Sequence, residues 1–186
     1  MRTKFNLEKA VQAAAVLLRA EGKSMSRLRL LKLLYLAERK CLEMTGCPFL
    51  GGRLVLMHEG PLHSEVYDLI KGNYKDEAAW SRYVSKDGQR DIHLDDEPEM
   101  SELSPFETRL LNGLVEDRMA MDDFAVADET HELPEIKGKR PPKNEVKELP
   151  ILDIMRAACP AEHLEEMMKE LRERTAFDVN RARLHS

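Results

Sequence analysis

The run from Arg27 to Gly72, RLRLLKLLYLAERKCLEMTGCPFLGGRLVLMHEGPLHSEVYDLIKG, sets the tightest limit on what this chain can fold into. Ser26 is a good N-cap, and the residues after it place Leu30, Leu31, Leu34, Ala37 and Cys41 on one helical face at three- and four-residue spacing. Leu28, Leu33, Tyr35, Leu36 and Leu42 widen that stripe beyond what a half-exposed helix needs. The pattern predicts a central helix contacted on most sides, with Arg29, Lys32 and Arg39 as its water-seeking positions. Each buried Leu contributes roughly 1.5–3 kcal/mol, so this helix carries a large share of the hydrophobic driving force. After Gly46, the breakers Cys47-Pro48 and Gly51-Gly52 bound a short apolar strand, Leu54 to Met57. His58-Glu59-Gly60-Pro61 then reorients the chain, because Gly60 tolerates positive φ while Pro61 suits a helix start. That helix is expected to run to about Lys71, with Gly72-Asn73 as its stop.

The flanking segments read as smaller elements. Asn6 can cap a first amphipathic helix with Val11, Ala14, Ala15 and Leu18 on its face and Gly22 at its end. Asn73 to Val84 holds Tyr74, Trp80 and Tyr83 among charges, a short helix or an irregular loop. Asp87-Gly88 marks a tight hairpin with strands Ser81 to Ser85 and Arg90 to Leu94, and Val84, Ile92 and Leu94 facing inward. The acidic run from Asp95 to Glu102 reads as a solvated loop. Ser104-Pro105-Phe106-Glu107 combines an N-cap, a first-turn proline and a capping-box Glu, so a helix starts there with Leu110, Leu111, Leu114 and Val115 inside. Asp122 or Asp123 caps a further helix through Phe124, Val126 and Ala127 to Thr130-His131. Lys137 to Asn144 reads as an exposed basic loop. Ile151 to Met155 forms a short helix. Pro160 starts an amphipathic last helix with Leu164, Met167, Met168 and Leu171 on its stripe, followed by a frayed tail, Thr175 to Ser186, that carries Arg181 and Arg183.

The sum is a mainly α (α+β) fold: a compact helical domain around a central apolar helix, with a short strand and a small β-hairpin. Residues 1–158 form the domain, and residues 159–186 add a C-terminal helix and tail packed on it. In 186 residues that are 34% charged and only 5% aromatic, the core is aliphatic and Met-rich. A net charge of −5 without a clustered basic surface argues against nucleic acid as a partner. No stretch approaches 18 apolar residues, so no membrane span is expected and the chain reads as cytoplasmic. Gly-rich phosphate loops, His-Glu-x-x-His and Gly-x-Ser-x-Gly are missing, which argues against the common enzyme classes. Ser64 beside His63 and His58 could form a hydrolytic set on paper, but Ser64 also sits where a helix cap is wanted. Cys41, Cys47, His58 and His63 match none of the common zinc spacings, so neither a metal nor another cofactor is expected.

The segments LLKLLYLAER, HEGPLHSEVYDLIKG and LSPFETRLLNGLVEDRMAMDDFAVADETHELPEI, in this order and spacing, resemble the Panacea domain, the SocA-like antitoxin domain of bacterial and phage toxin-antitoxin systems. The likeness covers roughly residues 6 to 157. Lys32 to Ala37 match the central helix, Gly60-Pro61 a conspicuous turn, Leu103-Ser104 the start of a later helix, and Thr130-His131 a recurrent Thr-His pair. The resemblance implies a non-enzymatic protein that neutralises a cognate protein toxin by binding it, the toxin being encoded by an adjacent gene. Alternatively it acts as an adaptor that hands the toxin to a protease. A helix-turn-helix DNA-binding role for the first two helices is the weaker third reading, because the second helix has no free polar face. The residues favoured for partner contact are His58, Glu59, Gly60, Pro61, His63, Ser64, Glu65 and Tyr67 around the turn, together with Thr130 and His131. His131 reads also as a structural hydrogen-bonding group at a helix end. The last helix can pack on the core, dock on the toxin, or pair with a second copy as a homo-oligomer.

Overall fold

The computed structural model describes residues 3–184, and the side chains of residues 3–177. Asn6 opens α1 (Leu7–Ala20) by accepting the Lys9 backbone N–H at 3.0 Å. Every side chain from Ala10 to Leu18 is buried, so the small alanines let α1 be enclosed on all sides. After β1 (Ser24–Ser26), Ser26 caps α2 (Arg27–Thr45) by accepting the Arg29 N–H at 3.1 Å, and Gly46 ends it in the left-handed region. The strand β2 (Leu54–Met57) then pairs antiparallel with β3 (Gly60–His63), with Leu56 opposite Pro61 and Met57 opposite Gly60.

This hairpin corrects the expected helix start. Pro61 lies in β3, an edge strand, where a residue without an N–H loses no ladder bond. The helix α3 (Ser64–Lys71) begins three residues later, with His63 rather than Ser64 at its cap, and stops at Gly72 as expected. Trp80 anchors the short α4 (Ala78–Ser81) in the core. The hairpin β4 (Val84–Asp87) and β5 (Asp91–Leu94) buries Val84, Ile92 and Leu94, with Ser81 helical instead of extended. Its β5 also pairs with β1, giving a sheet of order β1-β5-β4.

Ser104 and Glu107 form the capping box that opens α5 (Pro105–Glu116), and Asp122 caps α6 (Asp123–His131) by accepting the Ala125 N–H at 2.8 Å. The two-residue β6 (Lys147–Glu148) completes a second sheet of order β3-β2-β6. The chain ends in α7 (Ile151–Ala158) and α8 (Ala161–Leu184). The expected fraying from Thr175 is corrected, since α8 runs through it and Thr175 Oγ1 donates to the Leu171 carbonyl at 2.8 Å. The side chains of Arg181 and Arg183 lie outside the described ones, as does Ser186 altogether. Among the described residues, no helix is long and apolar enough to cross a membrane.

The centre of the fold is α2, packed against α1, α3, α5, α6, α7, β1 and β3. On one side lies a core of α1, the β1-β5-β4 sheet and α5; on the other, Tyr35 and Leu42 of α2 meet Leu54, Leu56, Ile154, Met155, Met168 and Leu171. Burial of α2 is unbroken from Arg29 to Glu38, so Arg29 and Lys32 do not reach water as their charges suggest. Arg29 is held by Glu21 at 2.8 Å and by the Met121 and Arg118 carbonyls at 2.9 Å each, acceptors that tertiary packing brings to it. A helix enclosed in this way cannot enter a DNA groove, which removes the helix-turn-helix reading of α1 and α2.

Candidate functional site

The motif residues of the sequence meet in one buried junction. Lys32 of α2 is fully enclosed, and its Nζ donates to the Pro61 carbonyl at 3.0 Å. Gly60 sits beside it with φ +101°, and a Cβ there would lie 3.0 Å from Thr130 Oγ1 and 3.1 Å from Lys32 Nζ. Glycine at position 60 is thus required both by backbone conformation and by space. Thr130 is fully buried and donates its hydroxyl to the Ala127 carbonyl of its own helix at 2.7 Å, a local bond that satisfies the polar group inside the core. Burial pushes the Lys32 amine down to about 7, against a smaller opposing pull from Glu59.

Two further polar groups tie α2 to its surroundings. Glu38, enclosed, accepts the Phe49 and Leu50 backbone N–H groups at 3.1 and 2.8 Å, closing the loop that leads into β2. His63 Nε2 stands 3.4 Å from Glu38 Oε2, in a fully enclosed ring that the Gly51 and Leu34 backbone groups also approach. Burial disfavours charge on both groups, raising Glu38 to about 7 and lowering His63 to about 4. One turn away, Glu135 accepts from Tyr35 Oη at 3.0 Å and Arg39 Nε at 2.8 Å, fixing the segment after α6 onto α2.

Above the junction the surface is open. A cleft of about 410 Å³ is lined by Leu28, Leu31 and Lys32 of α2, by Met57, His58, Glu59 and Leu62 of the hairpin, and by Tyr67 and Phe124. It continues into a second cleft of about 440 Å³ through the shared residues Met57, Leu62 and Tyr67, with Val55, Arg53, Asp68 and Val146 further along. Alternation along β2 explains the floor: Leu54 and Leu56 point into the α7–α8 core, which leaves Val55 and Met57 for the opposite face. Phe124, 66% exposed, and Val146, 55% exposed, stand on the walls of this mainly apolar groove. A cleft of about 610 Å³ on the other side of α6 is lined by His131, Asp128, Glu129, Glu132, Lys137 and Arg140. Its Glu129 already pairs with Arg118, and its Glu132 with Lys137.

Of the residues read from sequence as partner contacts, His58, Glu59 and Tyr67 line the groove, and Ser64 lines its continuation. Gly60, Pro61, His63 and Thr130 are buried beneath it as scaffold. Ser64 is mostly buried and accepts from Arg53 Nη2 at 2.7 Å, and Glu65 accepts the Arg53 backbone N–H at 2.9 and 3.1 Å. His131 opens onto the opposite cleft, where burial and the nearby Arg140 and Lys32 lower its proton affinity. Sequence reasoning missed Phe124 and Val146 as exposed groove walls, and counted as core Leu28 and Met57, which are half-buried and also line the groove. A lone valine among the charges of Lys143 to Glu148 was the available signal for Val146. The basic loop is tethered rather than free, because Arg140 Nε donates to the His58 carbonyl at 2.8 Å and His58 Nδ1 lies 3.0 Å from the Pro141 carbonyl. Cys47, His58 and His63 are engaged separately, by Arg174, Pro141 and Glu38, and no metal-holding cluster forms among the described residues.

No curated protein and no solved structure matches the chain. A family model described as antitoxin SocA-like, Panacea domain, matches residues 30–135, over half of the chain. The match starts within α2, ends at Glu135, and contains Lys32, Gly60, Pro61 and Thr130. With the sequence motifs converging on one junction and the matched segment spanning it, the chain belongs to the antitoxin SocA-like, Panacea domain family.

Proposed function

We propose that this protein neutralises a cognate protein toxin by direct binding, with the apolar groove above the Lys32–Gly60–Thr130 junction as its contact surface. The observation that carries the reading is a mainly apolar groove whose walls expose Phe124 and Val146. Contiguous exposed apolar surface of this kind marks interaction sites. The protein acts by occupancy rather than catalysis: Ser64 Oγ is taken by Arg53, and His63 is sealed against Glu38. The toxin is the product of an adjacent gene, met in the cytoplasm. Co-expression tests this reading. Growth should be restored and the two proteins should co-purify, and an unneutralised, unbound toxin refutes it. The toxin's half-life separates masking from delivery to a protease. Masking leaves it unchanged or longer, whereas an adaptor shortens it.

A further inference from the structure

The charges around the groove are not evenly matched. Of its acidic residues, Asp123 lies 3.9 Å from Arg29 Nη1, Glu145 lies 3.7 Å from Lys147 Nζ, and Glu59 acts on the buried Lys32. Arg27 and Arg90 line the same cleft, are both exposed, and form no ion pair among the described residues. They are adjacent in space because the Arg27 N–H donates to the Arg90 carbonyl at 2.9 Å. They stand at the amino-terminal end of α2, whose first turn carries no acidic residue, so the helix dipole adds to their field. At the far end of the groove Arg53 and Asp68 bring both signs, and Arg53 is already held by Ser64. One end of an apolar channel therefore carries two neighbouring arginines free of ion pairs among the described residues, with Glu59 the one carboxylate of the lining that is also outside an ion pair.

We infer that the groove takes one segment of the toxin in a fixed direction, with apolar side chains over Met57, Leu62 and Tyr67 and an acidic group against Arg27 and Arg90. The inference rests on the antitoxin reading and adds the chemistry and the polarity of the occupant. A guanidinium pair suits a carboxylate because it offers forked donors as well as charge. Such a contact at the edge of an interface governs encounter and register more than total affinity.

The test is calorimetric titration of the purified product of the adjacent toxin gene into the full-length protein, at roughly 0.01 M and roughly 0.15 M ionic strength, where the Debye length falls from ~30 to ~8 Å. The doubly substituted Arg27→Glu, Arg90→Glu protein should bind about tenfold or more weakly at low salt and lose most of the salt dependence. Exposure and the lack of ion pairs, with an acidic side chain at position 27 favoured by the dipole of α2, mean that its urea midpoint should be no lower than the wild type's, which excludes misfolding as the cause. The pair Lys169→Glu, Arg172→Glu on the exposed side of α8 reverses the same number of charges elsewhere and should bind as wild type. Two results overturn the inference while leaving the antitoxin reading intact: unchanged binding by the Arg27→Glu, Arg90→Glu variant, or an equal loss in the Lys169→Glu, Arg172→Glu variant, which would indicate net charge alone. A toxin that fails to bind the wild type overturns both.

Discussion

Replacing Lys32 by Met removes a buried cation while keeping a flexible chain of similar length in the same space. In the folded protein the amine is brought from 10.5 to about 7, chiefly by desolvation. At about 1.4 kcal/mol per pH unit, that amounts to roughly 5 kcal/mol of penalty for the charged form. The unfolded chain holds its proton up to about pH 10.5. Between about pH 7 and pH 10.5 unfolding therefore takes up a proton, and stability rises with pH across that window. Below about pH 7 both states are protonated and the penalty is present in full. Methionine has no such penalty, but it abandons the 3.0 Å bond to the Pro61 carbonyl, a loss of about 1–3 kcal/mol for a buried acceptor. Near pH 6 the variant should be more stable by about 2–4 kcal/mol, and near pH 10 the order should reverse. Glu38, raised to about 7, and His63, lowered to about 4, titrate at or below the lower edge of this window and are present in both proteins, so they cancel in the difference, whereas His131 is relieved of the lowering by Lys32 and binds its proton more tightly in the variant. Urea melts of both proteins across the range provide the assay. A difference in stability that does not change with pH would refute the reasoning.

Leu34 is fully buried in the middle of α2, and Leu34→Ala should lower unfolding free energy by about 2–5 kcal/mol in a urea melt. Gly60→Ala places a Cβ against Thr130 and Lys32 at positive φ and should destabilise by about 1–3 kcal/mol, read as a lowered thermal midpoint. Ser104→Ala removes the acceptor for the Glu107 N–H and should cost about 1 kcal/mol by the same melt, with the fold otherwise kept.

The helix starts at Asn6, Ser26, Ser104 and Asp122 were legible because an N-cap bonds to a backbone N–H only three residues away. The central helix was legible from its leucines. The two outer strands were not: β1 has three residues and β6 two, too short for alternation to show, and their partners lie far along the chain, Ser24 opposite His93 and Val55 opposite Glu148. Pro61 was misread because a missing N–H suits a helix start and an edge strand equally. The burial of Lys32 and Arg29 was invisible for a different reason. A charge can be enclosed only where acceptors meet it, and those acceptors are the carbonyls of Pro61, Met121 and Arg118, supplied by folding. The motif order did lead to the correct region, but to the support beneath the surface. Gly60 and Thr130 hold the hairpin and α6 together, while the half-buried Met57 and the exposed Phe124 line the groove above them.

Amide hydrogen exchange on the full-length protein, alone and with the toxin bound, tests the central claim most directly. Binding in the groove should slow exchange in three segments that border it: residues 54–67, residues 120–127 and residues 142–148. Protection confined to α8 or to the cleft beside His131, with these three segments unchanged, would contradict it.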